Sequence, residues 1–448
     1  MATINYFMND PTTPDLVQQI EPPANFPCDM RFSVVGYEGG GFPWTSKQGR
    51  AAEVYYAIWT ALNWLQDYKV IPNIHWAAVS NLVAYPEAGE DLNAYYDRLS
   101  LKYFYITDPV TRQVVYLCNS QDVVAHECGH AILDAHVPQL FSLASLEAGA
   151  LHEAFGDFTA LMCAITFSQV RAKFLAETNG NFKIDNCISK LAEQAGQALY
   201  DILRGRAGFS SSSLRDAINS FQYVDPCTLP EQASSDDQLC AEVHSFSRVF
   251  TGAFWDILAG MYAANIAVNQ PPDAALTNAM STLSTYMLTA IVHMPLTAKM
   301  YSSLGYTLLW VDAQQPNAPY GQIIKSVLIN RNIITNNMCL LATAPPANAE
   351  RIITKRTQKS VVLSHHFLGV QSTNPLFNVE MELPQDETHF YDHHGKYMHT
   401  VSVTDQETLD VAKHMAEHLH STNKVGDDDS YEFKIENGKL VRRHFKCC

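Results

Sequence analysis

The chain has 448 residues and a formal net charge of −16 at pH 7, with 47% hydrophobic and 17% charged residues. This composition is typical of a globular protein with a large core, and the length favours two or three domains. The acidic charge argues against a nucleic-acid partner, and no apolar run reaches the roughly 20 residues that a transmembrane helix needs. The N-terminus lacks the basic and apolar regions of a secretory signal peptide, so we expect a cytoplasmic protein or one exported by another route.

The predicted elements pass from a mixed N-terminal part to a helical part. Residues 1–46 are rich in Pro and Gly and predict irregular structure or short strands. Alternating apolar residues predict strands at 101–108 and 112–118. Apolar residues at helical spacing predict helices over 48–68, 121–135, 145–175, 244–268 and 274–292.

The composition changes after the segment TAPPANAE, which resembles a linker. Beyond it we expect a hairpin over 389–403, a helix over 404–419 that begins with a capping box, and a hairpin that turns at Asn437-Gly438. The predicted fold class is α+β. The predicted domains are an N-terminal α/β lobe (1–140), a mainly helical lobe (141–343), a linker (344–350) and a small α+β module (351–448).

The segment VVAHECGHAI contains the pattern H-E-x-x-H, formed by His126, Glu127 and His130. Residues four apart lie on one face of a helix, so the two imidazoles can bind one metal ion. Glu127 is displaced around the helix from the two histidines. Its carboxylate can therefore reach a metal-bound water and accept a proton from it. This arrangement predicts a catalytic zinc ion with two histidine ligands and a carboxylate base.

Two positions compete for the third ligand. His136 has the spacing of a third histidine ligand in metzincin proteases, but Leu133 stands where the turn-forming glycine would be needed. We therefore expect the helix to continue and His136 to lie at its C-terminal end. On the following helix, Glu153 and Asp157 share a face. One of these carboxylates can bind the metal while the other orients a ligand histidine.

With these residues in place, the sequence resembles the thermolysin-like zinc peptidases, and also the fungalysin-type peptidases. The resemblance is carried, in family order, by AAEVYYAIW (51–59), LNAYYDR (92–98), the two ligand helices with VVAHECGHAI and GALHEAFGD (149–157), SSLRDAINSFQYVDP (212–226) and VHSFS (243–247). The resemblance implies a two-lobed metallopeptidase fold and a zinc endopeptidase acting on a peptide or protein substrate.

The resemblance also implies a role for each matched residue. Glu153 would be the third zinc ligand, and Asp157 would be the carboxylate that orients a ligand histidine. His244 would stabilise the transition state. The residues that would contact the substrate are Asn93, the backbone of Ala94, Arg215, and the pocket residues Val123 and Leu214, which predict a hydrophobic primed-side preference.

Several positions depart from the family pattern. Phe141 falls about where the family often has an oxyanion-binding tyrosine, and no clear acidic cluster predicts structural calcium. The acidic residue that orients His244 stays open among Asp236, Asp237 and Glu242. The alternatives to this function are a metzincin-type protease that uses His136, and a catalytically weak peptidase fold that serves as a binding or scaffold protein. The module after residue 351 is expected to bind substrate or a partner, to inhibit, or to direct export.

Overall fold

The computed structural model describes residues 4–20, 23, 29–39, 42–68, 74–203, 213–335, 352–355, 358–362, 376, 379–392, 394, 396–428 and 430–446. The helices are α1 (Lys47–Tyr68), α2 (Gln121–His136), α3 (Pro138–Phe141), α4 (Leu146–Thr166), α5 (Ser168–Thr178), α6 (Glu193–Leu203), α7 (Val243–Ala267), α8 (Pro272–His293), α9 (Met300–Ala313), α10 (Gly321–Asn330) and α11 (Asp405–Ser421). The predicted linker 344–350 lies outside the described residues.

The strands are short and belong to several small sheets. They are β1 (Ile4–Phe7), β2 (Val17–Ile20), β3 (Arg31–Val34), β4 (Asn81–Tyr85), β5 (Ala94–Tyr96), β6 (Ser100–Tyr103), β7 (Tyr105–Thr107), β8 (Val114–Tyr116), β9 (Lys190–Leu191), β10 (Arg215–Asp216), β11 (Ile352–Lys355), β12 (Gln358–Val362), β13 (Glu380–Pro384), β14 (Glu387–Tyr391), β15 (Tyr397–Val401), β16 (Phe433–Glu436), β17 (Lys439–Arg442) and β18 (Phe445–Lys446). Together with the helices they make a mixed α+β protein, as predicted.

The largest sheet has the strand order β18-β5-β6-β4-β3. Strands β3, β4 and β6 run parallel, whereas β5 and β18 are antiparallel to their neighbours. Two helices, α1 and α2, pack against each other beside this sheet, and α2 also contacts β5. The last strand of the chain is therefore part of the N-terminal sheet, although the sequence assigned it to a separate module.

One large hydrophobic core runs from Tyr6 to Ile334 and includes Phe390, Val401 and Phe445. Within it, α4 packs on α2 on one side and on α7 on another. A smaller core lies inside the C-terminal segment between α11 and its strands, with Leu376, Met381, Leu419 and Phe433 among its members. No helix in the described ranges combines the length and the apolar character needed to cross a membrane.

Most predicted elements are confirmed, and two need correction. The helix predicted over 145–175 is two helices, α4 and α5, because Phe167 is extended and Arg171 donates hydrogen bonds to the carbonyls of Ile165 and Thr166. The strand predicted over 101–108 divides at Phe104 into β6 and β7, which belong to different sheets. The capping box of Thr404 and Glu407 is confirmed, as is the turn at Asn437-Gly438.

Candidate metal centre

The pattern H-E-x-x-H lies in the middle of α2, which is helical from Gln121 to His136. His126, Glu127 and His130 are at most 2% exposed. One ligand atom from each lies within 4.8 Å of those of the other two, so these three residues could hold a metal ion. Burial lowers the pKa of His130 to about 4, even though the carboxylate of Glu153 opposes this effect. A neutral imidazole is the form that binds a metal.

Two glycines allow α4 to approach the histidine face of α2. A Cβ atom on Gly156 would lie 2.6 Å from the ring of His126, and one on Gly129 would lie 2.8 Å from the Thr159 hydroxyl. Distances this short would force the helices apart. The two glycines therefore set the close crossing that brings the carboxylates of α4 to the histidines of α2.

Glu153 reaches both histidines from α4. Its Oε2 lies 3.2 Å from His126 Nε2, and its Oε1 lies 3.4 Å from His130 Nε2. Metal bonds of 2.0–2.1 Å in a tetrahedral arrangement separate neighbouring ligand atoms by about 3.3 Å. Burial would raise the pKa of Glu153, but His244, His130 and His126 hold it well below its usual range. The spacing and the charge of this carboxylate fit a third ligand.

Asp157 lies one turn further along α4 and supports His126. Its Oδ1 is 3.1 Å from His126 Nδ1 and accepts a 2.8 Å hydrogen bond from Arg215 Nε, while Thr251 donates to Oδ2 at 2.7 Å. Burial alone would raise the pKa of Asp157, but the Arg215 guanidinium and His126 lower it. An ionised Asp157 favours the tautomer of His126 with the proton on Nδ1, which leaves Nε2 for a metal. The Arg215 guanidinium also approaches this ring, with its Nη2 3.1 Å from Nδ1 and 3.4 Å from Nε2.

His244 stands at the start of α7, beside Glu153. Its Nε2 is 3.4 Å from Glu153 Oε2, and its Nδ1 is 2.6 Å from Glu242 Oε1. Burial would lower the pKa of His244, but the carboxylates of Glu153 and Glu242 raise it to about 10. Glu242 is therefore the acidic residue beside His244, which the sequence had left open among three candidates. Glu242 is also the N-cap of α7, since it accepts from the backbone N–H groups of His244 and Ser245.

His136 lies apart from this group, as expected. It is the last residue of α2, and its Nδ1 is 2.8 Å from the carbonyl oxygen of Ile132. The helix continues through Leu133, whose carbonyl accepts the N–H of Val137 beyond the end. Because no turn interrupts the helix at Leu133, the chain does not fold back, and His136 lies further along α2 than His126 and His130.

The predicted substrate-binding residues have different surroundings. Asn93 is 6% exposed, and its side-chain oxygen has no hydrogen-bond partner in the part of the chain that the structure describes. Ala94 begins β5 and is buried. Arg215, in β10, points to Asp157 and to Glu153, whose Oε2 is 3.9 Å from its Nη1. Val123 is buried in the large core, and Leu214 packs at the margin of that core.

Strand β5 is fixed to α2 by polar contacts. The Tyr96 hydroxyl donates a 2.9 Å hydrogen bond to Asp134, and Arg98 pairs with the same carboxylate at 2.8 and 2.9 Å. The same segment carries Asn93 and Ala94. Strand β5 is therefore held in a fixed position beside the histidine helix.

Two aromatic residues at the centre were not identified from the sequence. His152 precedes Glu153, is fully buried, and lacks hydrogen-bond partners for both ring nitrogens among the described residues. Phe445, near the end of the chain, stacks on His130 and His152 with ring centroids 5.1 and 4.2 Å apart. The apolar residues around His152 in the sequence were a weak indication that this histidine is buried. Nothing local to Phe445 connects it to α2 or α4.

A buried carboxyl cluster near the start of α2 was also missed. Asp10, Asp122 and Glu193 are all buried, and the Gln194 backbone N–H donates to Asp10 at 3.2 Å. Burial, followed by the neighbouring acidic groups Asp10 and Asp122, raises the pKa of Glu193 to about 10. These residues are distant in sequence, so their grouping could not be read from their spacing.

No model of a known protein family matches this chain, and no curated protein is significantly similar to it.

We expect Asp157→Asn to weaken metal binding by about 10- to 100-fold, because the amide no longer fixes the proton of His126 by charge. Competition with a chromophoric chelator would measure the affinity. Asp256→Asn is the matched control, since Asp256 pairs with Lys183 and Arg331. Equal affinities of the Asp157 variant and the unchanged protein would contradict this role.

Proposed function

We propose that this protein is a zinc-dependent endopeptidase of the thermolysin-like class. The observation that carries the proposal is the spacing of the Glu153 carboxylate from the Nε2 atoms of His126 and His130, 3.2 and 3.4 Å. Two nitrogens and one oxygen, with Glu127 beside them, form the donor set of a catalytic zinc site. The set has two buried carboxylates, Glu127 and Glu153, and a bound cation would offset their charge together with Arg215 and His244.

Zinc bound by these three residues would supply the electrophile that makes water acidic and polarises a carbonyl group. The remaining chemistry belongs to the side chains of the protein. Glu127, which directly follows His126, accepts the proton of the attacking water. It then passes this proton to the amine that leaves as the peptide bond breaks.

His244 is suited to stabilise the negative charge that develops on the carbonyl oxygen. Glu242, whose Oε1 is 2.6 Å from Nδ1 of His244, raises the pKa of His244 and so favours its protonated form also when Glu153 binds zinc. A protonated imidazole donates a charge-assisted hydrogen bond. This role fits the presence of Phe141 in place of a tyrosine, because a phenyl ring supplies no donor.

The substrate would bind as an extended peptide. Asn93 and the backbone of Ala94 would hold its main chain, and Arg215 would hold a carbonyl group. Val123 and Leu214 would form the wall of the pocket for a hydrophobic residue after the cleaved bond. With the peptide held in this way, the attack of water on the peptide bond takes place within the enzyme–substrate complex and does not depend on a further encounter.

The proposal is tested by digesting a peptide library with the purified chain, with and without a chelator, and then with zinc restored. We expect cleavage of internal peptide bonds that the chelator abolishes and zinc recovers. Mass spectrometry of the products would also report whether the residues after the cut are hydrophobic. Zinc binding at one equivalent with no peptide cleavage, both in the unchanged protein and in its Phe445→Ala variant, which removes the ring stacked on His130, would contradict the proposal.

A substitution at Glu242 would test the role of His244 through pH. His244→Ala should lower kcat by about 10²- to 10³-fold, as expected for loss of one oxyanion donor. In Glu242→Gln the carboxylate that raises the pKa of His244 is gone, so His244 loses its proton at lower pH. We therefore expect the alkaline limb of the kcat profile to move to lower pH. An unchanged profile would show that His244 protonation does not matter for turnover.

A further inference from the structure

The outer edge of β5 is occupied by the end of the same chain. Strand β18 pairs with it in antiparallel register, Phe445 opposite Tyr96 and Lys446 opposite Tyr95. On its other side β5 pairs with β6, so without β18 it would be an edge strand. An edge strand presents unpaired N–H and C=O groups that an added peptide strand can satisfy.

Phe445 fills the space directly above the metal-binding histidines. The ring is 2% exposed and stacks on the imidazoles of His130 and His152. Phe141 meets it edge-on at 5.2 Å, and the Arg442 guanidinium lies 4.2 Å from its centroid. One aromatic side chain is thus enclosed by groups from α2, α3, α4 and β17.

This placement leaves the centre closed. Glu127, His130 and Glu153 have no exposed surface at all, and His126 is 2% exposed. Phe445, stacked on His130, is one of the groups that cover these residues. A substrate strand that pairs with the outer edge of β5 can do so only when β18 has left it.

We propose that β18 is an intramolecular inhibitor that occupies the position of the substrate strand. Phe445 and Lys446 pair with β5 as an extended peptide would, and the side chain of Phe445 takes the place of a substrate side chain. The proposal rests on the proposed peptidase function. Because the inhibitor is tethered, its effective concentration is high, and a substrate must compete with it.

The same geometry defines the class of peptide that displaces β18. The peptide must be extended, to pair with β5, and must carry a large aromatic side chain where Phe445 now lies. His130 and His152 form stacked walls of that pocket, and Phe141 contributes an edge-to-face contact. Offset or edge-to-face ring contacts favour an aromatic residue over an aliphatic one of similar size.

The test compares the full chain with its Phe445→Ala variant, with Phe390→Ala as the matched control. Phe390 is also a fully buried phenylalanine of the C-terminal segment, but its ring contacts His399 and Trp310. The first readout is hydrogen exchange at the amides of 94–96. The second is binding of a fluorescein-labelled peptide with the sequence of residues 441–446, VRRHFK, measured by anisotropy. Zinc content is determined for all three proteins.

We expect Phe445→Ala to speed exchange in β5 by about tenfold or more and to bind the labelled peptide at least about tenfold more tightly, with zinc content unchanged. Phe390→Ala should change neither readout, and a peptide with Ala in place of Phe should bind weakly. For cleaved substrates, KM should fall in Phe445→Ala. Unchanged exchange and unchanged peptide binding in Phe445→Ala would overturn the inference.

The two proposals fail in different ways. If Phe445→Ala opens β5 and binds the peptide but cleaves no substrate, the inhibitory strand stands and the peptidase function falls. If the unchanged protein cleaves peptides and Phe445→Ala alters neither exchange, peptide binding nor KM, the peptidase function stands and the inhibitory role of β18 is wrong.

Discussion

The Glu127→Gln variant is expected to bind zinc as tightly as the unchanged protein and to cleave peptides roughly 10²- to 10⁴-fold more slowly. The amide has nearly the shape of the carboxylate, so the packing around this fully buried residue should be retained. The amide in this variant differs from the carboxylate in one respect: an amide cannot accept a proton from water at neutral pH. The effect should therefore fall on kcat, because the substrate-binding residues are unchanged.

The measurement requires zinc content and kcat on the same preparation. Glu147→Gln is a matched control, because Glu147 is also buried but binds Tyr223 and Tyr301. That control should retain its turnover. Full zinc content with undiminished cleavage in Glu127→Gln would eliminate Glu127 as the base.

The second large effect is expected at Glu153. Replacing it with Ala removes one of three protein ligands, so zinc affinity should fall by more than the roughly 10- to 100-fold typical of a supporting residue. His136→Ala should leave zinc affinity unchanged, because His136 lies at the end of α2 and contacts the carbonyl of Ile132. Isothermal titration of zinc into both variants measures the difference.

This pair of variants also separates two classes of protease. Loss of zinc from His136→Ala together with retention in Glu153→Ala would favour the metzincin-type arrangement. Circular dichroism of each variant would establish that both are folded. Glu153 is buried without exposed surface, so its replacement also removes a buried charge and the fold has to be checked.

The local parts of the centre could be predicted from the sequence. The spacing of His126 and His130 requires only a regular helix, and the absence of glycine at position 133 was enough to place His136 beyond the ligands. Helical spacing and the family resemblance also predicted Glu153 and Asp157 beside the histidines, where the structure has them, while their roles as ligand and support stay predictions. In each case the information lies within one or two turns of helix.

The parts that depend on distant contacts could not be predicted. Glu242 could not be chosen over Asp236 and Asp237, because the choice depends on where α7 begins. The approach of α4 to α2 depends on Gly129 and Gly156, whose role is apparent only when the helices are in contact.

The pairing of β18 with β5 joins residues about 350 positions apart, Lys446 with Tyr95. A two-residue strand carries no periodic signal of its own. The sequence therefore left the function of the C-terminal segment open, with inhibition as one of several alternatives.

X-ray absorption at the zinc edge, on the full chain loaded with one equivalent of zinc, would test the central claim most directly. We predict four nitrogen or oxygen ligands at about 2.0–2.1 Å, with the multiple-scattering pattern of two imidazoles. Cys128 is a buried cysteine on α2, two positions after His126, and a thiolate ligand would give a longer bond than nitrogen or oxygen. A sulfur ligand at about 2.3 Å, or failure to bind zinc, would contradict a centre built from His126, His130 and Glu153.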